Sequence, residues 1–123
     1  MGDLKFRYWD FHLKKMVYSD EWTHVNKLQN LSSFFRTAAY YAFENNVMQF
    51  TGFVDSAGNE IYVGDIIRVP SHYEGDYWIE EYEGQILFDG SFYVDNFGDI
   101  EYVVGLCDIE VIGNIYKNDE GRW

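Results

Sequence analysis

The chain has 123 residues, enough to bury one core without a metal or disulfide staple, and its single cysteine, Cys107, excludes an internal disulfide and with it the secreted disulfide scaffolds. Aromatic residues make up 20% of it, so the core has to be built from Tyr, Phe and Trp as well as aliphatic side chains, which suits pleated, half-exposed surfaces. The net charge of −12 is unevenly placed: residues 1–50 carry six bases and five acids, whereas residues 51–123 carry three bases and sixteen acids, a balance of −13 that repels phosphate backbones and disfavours direct nucleic-acid binding.

The chain opens on an alternation, Leu4-Lys5-Phe6-Arg7-Tyr8-Trp9-Asp10, with Leu4, Phe6 and Tyr8 on one strand face and Lys5, Arg7 and Trp9 on the other. A second run, Lys15 to Tyr18, follows a polar interval, so the two are expected to pair as a hairpin; its turn has neither Gly nor Asn, and its type stays open. From Asp20 to Asn46 the spacing shifts to threes and fours, through Leu28, Leu31, Phe34 or Phe35, Ala38 and Ala42. That suits a short helix through Phe34 to Phe43, capped by Ser32 or Ser33, although the aromatics are equally at home in a strand and propensity alone does not decide between them. Its aromatics (Phe34, Phe35, Tyr40, Tyr41, Phe43) exceed one narrow face, which raises a homo-oligomer.

After Asn45-Asn46 the pattern is all β. Val47 to Phe53 reads as a strand with a glycine kink at Gly52, and Asp55 to Asn59 as a turn. In Glu60 to Pro70 the Gly64-Asp65 pair interrupts an apolar strand. Such a pair lets the chain of a small SH3-like barrel turn sharply, Gly supplying a backbone angle other residues avoid and Asp binding nearby amides. Tyr77 to Phe88, Ser91 to Val94 and Glu110 to Tyr116 are further strands. Asp89-Gly90 suits a type I′ hairpin turn, Gly84 suggests a bulge, and Cys107 falls in an apolar strand-like stretch from Tyr102. The expected organisation is one compact whole, with residues 1–46 forming the hairpin and helical segment and residues 47–123 the β roll.

No signal-peptide core follows Met1, Phe6 breaks the myristoylation pattern, and no run of about 18 apolar residues occurs, so a cytoplasmic, membrane-free protein is expected. His12, His24 and His72 fall on different elements without H-x₃-H spacing, and Cys107 reads as a buried small hydrophobe; no catalytic residue, metal or cofactor is expected. The most suggestive feature is an acidic and aromatic run from His72 to Glu83, which begins in a loop after Pro70 and continues into the strand expected from Tyr77. Asp76, Tyr77, Trp78, Glu80, Glu81 and Glu83 in it are the candidate protein-binding residues, since carboxylates interleaved with flat rings can imitate nucleic acid and attract basic grooves. It lacks the glycine-anchored spacing of a calcium loop, and a plain solubilising surface is the competing explanation. The alternative is weak nucleic-acid binding by the N-terminal hairpin, through Lys5, Arg7, Lys14 and Lys15 beside Tyr8 and Trp9.

Four blocks in order resemble the YopX family of phage and prophage proteins: Lys5 to Asp10, Met48 to Gly52, Asp55 through Ile66, and Glu110 to Asn118. The resemblance covers nearly the whole chain. It implies an SH3-like β roll with an N-terminal extension, encoded by bacteriophages or prophages and without a known enzymatic activity. The matching blocks are turns and core strands, so no site residue is transferred. The fold expected is mainly β, a small SH3-like roll with an N-terminal hairpin and a short helix. The function expected is non-enzymatic binding of a host or phage protein in the bacterial cytoplasm.

Overall fold

The computed structural model describes residues 4–20 and 31–116, and only the backbone of 31–32 and 40–46. The chain divides into two compact units, residues 1–50 and 51–123, and the acidic imbalance of −13 falls wholly on the second.

In the first unit β1 (Phe6–Asp10) and β2 (Lys15–Tyr18) pair antiparallel, Arg7 opposite Tyr18 and Asp10 opposite Lys15. The turn is closed by Asp10, whose Oδ1 accepts from the His12 and Leu13 amides at 2.9 Å, while Lys14 takes φ 54° and donates its N–H to Asp10 O. The Asp10 carboxylate thus supplies the acceptor that Asn offers in other turns, and Lys14 adopts the positive φ that Gly would take. Helix α1 (Leu31–Tyr41) runs directly into β3 (Ala42–Val54). Ala42 is therefore strand, opposite Asp10, because pairing with β1 outweighs the helix preference of alanine. Ser32 and Ser33 lie inside the helix, not at its cap, and Ser33 O accepts from Thr37 Oγ1. Tyr8, Phe34 and Ala38 form the core of this unit, with Phe34 5.4 Å from Tyr8 and the partly exposed Phe35 edge-on to Phe6 at 5.0 Å. The side chains of Tyr40, Tyr41 and Phe43, part of the aromatic excess, lie outside the described residues.

In the second unit β3 ends beyond Gly52 (φ 90°) and pairs with β4 (Glu60–Tyr62). Gly64 (φ 96°) then swings the chain into β5 (Asp65–Val69), and the buried Asp65 accepts from the Tyr62 amide at 2.8 Å, as the Gly-Asp pair predicts. After β6 (His72–Glu74) and β7 (Tyr77–Ile79) come β8 (Tyr82–Phe88), β9 (Phe92–Val94), β10 (Gly98–Asp99), helix α2 (Ile100–Leu106) and β11 (Glu110–Asn114). A five-stranded sheet in the order β10-β9-β8-β5-β11 curls into a half-barrel, which makes the protein a mainly β, SH3-like roll with short helices. Ile67 and Val69 of β5 alternate inward to meet Ile86 of β8 and Val94 of β9, and α2 closes the core with Ile100 and Val103. Each such side chain, fully removed from water, contributes about 1.5–3 kcal/mol.

Four local expectations change. Tyr77 to Phe88 is two strands, because β7 turns back on β6 through Gly75 (φ 62°), so the loop expected after Pro70 and the start of that strand form a hairpin. Gly84 stays in register opposite Ile67 without a bulge. It is glycine because a Cβ there would lie 2.8 Å from both Tyr82 Cε2 and Val94 Cγ1. The register shift falls instead in β11, between Val111 and Gly113. At Asp89-Gly90 only the glycine has positive φ (109°), and three residues join the paired Phe88 and Phe92, so the turn is not type I′. Finally, Tyr102 to Leu106 is helix and Cys107 its C-cap, the amide of Cys107 bonding to Val103 O.

Candidate functional site

Hairpin β6–β7 places Tyr73 opposite Trp78, their rings 4.9 Å apart edge-on, and both are exposed. By strand alternation His72, Glu74, Tyr77 and Ile79 share the other face. There His72 and Ile79 are half-buried. His72 Nδ1 lies 2.8 Å from Pro70 O and its Nε2 3.2 Å from Glu74 Oε2, while the other Glu74 oxygen accepts from Tyr102 of α2 at 3.2 Å. This chain ties the hairpin to the helix. The hydrogen bond to Glu74, some desolvation and the Glu74 charge raise the Tyr102 phenol above its ordinary range, so it stays a donor at neutral pH.

All six candidate residues are exposed: Asp76, Tyr77 and Trp78 on the hairpin, Glu80 and Glu81 in the link to β8, and Glu83 on β8. Trp78 Nε1 donates to Glu80 at 3.1 Å, which joins an aromatic face to the acidic link. Glu83 stands apart from them, opposite Arg68 of β5. Arg68 pairs with Glu110 of β11 and is the only Lys or Arg of the second unit among the described residues. Tyr73 and Tyr102 belong with the surface although the candidate set omits them. Ile100, Val103 and Val104, spaced at three and four behind Asp99, were the helical signal that would have raised Tyr102 out of an apparent strand.

The basic patch expected on the N-terminal hairpin does not assemble. Arg7, Tyr8 and Trp9 are each no more than 5% exposed, and Lys5 lies over the Phe50 ring at 5.3 Å. Buried rings cannot stack on bases, so Lys14 and Lys15 are left as the exposed bases of that patch. Among the described residues no three His, Cys, Asp or Glu come together as metal ligands, and no helix is long and apolar enough to cross a membrane. His24 lies outside the described residues.

The geometry is that of a small acidic β roll carrying an exposed hairpin. The family model described as YopX protein matches residues 5–120, and the chain belongs to that family. Its fold is similar to the crystal structure of protein EF1440 from Enterococcus faecalis, with a TM-score of 0.60 and 20% identity, covering 98% of each chain. At that identity the likeness speaks for fold alone. No curated protein matches.

Proposed function

We propose that this is a phage or prophage accessory protein that acts in the bacterial cytoplasm without enzymatic activity, by binding another protein through hairpin β6–β7. The observation that carries the reading is the exposure of Tyr73, Tyr77 and Trp78, at 66%, 76% and 50%, together on one short hairpin of a strongly negative unit. Tyr and Trp are the residues on which binding energy concentrates at protein interfaces, because they bury large area at little entropic cost. Asp76, Glu80 and Glu81 around them favour a partner with a basic groove, which for a phage protein means a host nucleic-acid-handling or defence protein.

The test is affinity capture of the tagged chain from nuclease-treated host lysate at low and moderate salt, compared with Y77A/W78A and E80Q/E81Q/E83Q variants. A basic protein retained by the wild type and lost from both variants supports the reading, provided the purified pair reproduces the difference. Equal capture by all three forms removes the hairpin from consideration.

A further inference from the structure

A recessed surface elsewhere on the second unit uses none of the residues of hairpin β6–β7. The end of hairpin β8–β9 and the start of α2 flank an open cleft of about 250 Å³ lined by Phe53, Phe88, Phe92, Ile100, Asp99 and Glu101. Phe88 and Phe92, cross-strand partners, stand 4.9 Å apart at 51°, and Phe88 is 54% exposed although it is a large apolar ring. Gly90, with φ 109°, leaves bare backbone at the turn between them. Ser91 Oγ donates to Asp99 Oδ1 at 3.4 Å, a bond between two residues of the lining. The cavity is smaller than the roughly 300–1,000 Å³ of sites for drug-sized ligands, so it suits one side chain.

We infer that this cleft receives a basic side chain, lysine or arginine, of a partner protein. Aromatic faces carry negative quadrupole potential that attracts a cation, and the two acidic residues of the lining, Asp99 and Glu101, supply its counter-charge. An anion would meet like charge from these groups and from the whole acidic unit. The inference rests on the reading of the chain as a binder of basic protein, but it concerns a separate surface and can fail alone.

The experiment is titration of the full ¹⁵N-labelled chain at low salt with N-acetyl-arginine amide, N-acetyl-lysine amide and the uncharged N-acetyl-norleucine amide, followed through backbone amide shifts. Saturable shifts centred on Gly90, Ser91, Asp99 and Glu101 are expected with at least one of the two cations and not with norleucine amide. Which of them saturates at lower concentration separates arginine from lysine. Affinity should fall at least about tenfold in F88A and in D99N/E101Q. Phe88 is half exposed and the two acids lie at the surface, so these variants should retain the wild-type spectrum elsewhere. No saturable shift with either cation, equal shifts with norleucine amide, or undiminished binding by well-folded variants overturns the inference. If the cleft is silent while hairpin-dependent capture persists, the cleft alone is discarded.

Discussion

Asp55 Oδ2 accepts the backbone N–H of Val111 at 2.9 Å across 56 residues, so the turn after β3 is fastened to the last strand. The same carboxylate accepts from the amides of Ala57 and Asn59 and from Asn59 Nδ2, and next to it Ser56 Oγ and N–H both donate to Ile109 O. Asp55 is 5% exposed, so removing it strands donors with little access to water. Asp55→Ala is expected to cost about 3 kcal/mol, seen as a lower urea midpoint at an unchanged slope.

The same residue sets a pH dependence. Burial by itself raises the Asp55 carboxyl, but the bonds from Val111, Asn59 and Ala57 outweigh it and hold the group below its ordinary 3.8. With the folded value depressed, its stabilisation is complete above 3.8 and is lost as the pH falls through the lower folded-state value. Thermal melts of wild type and Asp55→Asn should therefore converge as the pH drops below 3.8. Parallel curves down to the lowest pH would count against the assignment.

Lys14 pays the steric cost of φ 54° in the β1–β2 turn. Lys14→Gly relieves a left-handed strain of roughly 1–2 kcal/mol while loosening the unfolded chain, so a net gain of about 0.5–1 kcal/mol is expected by chemical denaturation. A loss would mean that an interaction of the lysine side chain outweighs the strain.

Two glycines should respond with opposite signs to alanine. At Gly84 a Cβ meets Tyr82 and Val94 at 2.8 Å, and Tyr82 is held by its bond to Asp95 O, so Gly84→Ala should destabilise by about 1–3 kcal/mol. At Gly105, within α2, nothing lies within 4 Å and φ is ordinary, so Gly105→Ala should stabilise by up to about 1 kcal/mol. Melting temperatures measured side by side decide both.

Burial, then the charges of Asp108 and Glu74, push the Cys107 thiol up from its ordinary value. Iodoacetamide alkylation should reach its half-maximal rate at a higher pH than for a free thiol, near 8.5, and Asp108→Asn should move that midpoint down. A midpoint at or below the free-thiol value would refute the environment described for Cys107.

The readable parts of the fold were those in which chemistry and geometry sit in adjacent residues. Gly64-Asp65 and Asp55 to Asn59 announce turns because positive φ and a short acceptor are local requirements. The alternation in β1 announced a strand but not its surroundings: α1 packs Phe34 against Tyr8, and Arg7 and Trp9 are covered as well, so a patch that looked basic and aromatic is interior. Cys107 illustrates the reverse, since the apolar stretch from Tyr102 expected as strand is helix, with Ile100 and Val103 packed in the core of the roll. On the candidate surface the acidity and the aromatic content were legible, whereas the pairing of Tyr73 with Trp78 and the Glu74 link to Tyr102 were not.

By itself the sequence determined the β-rich class, the punctuating turns, the location of the negative charge and the membership suggested by its four blocks, because each depends on composition or on neighbours along the chain. Only the tertiary structure decided which aromatic rings face water, that Gly84 is a site of close packing, and that Phe88, Phe92, Asp99 and Glu101 share one cleft. Those facts depend on contacts between residues far apart in the chain, which strand pairing and core packing select jointly and no local pattern encodes.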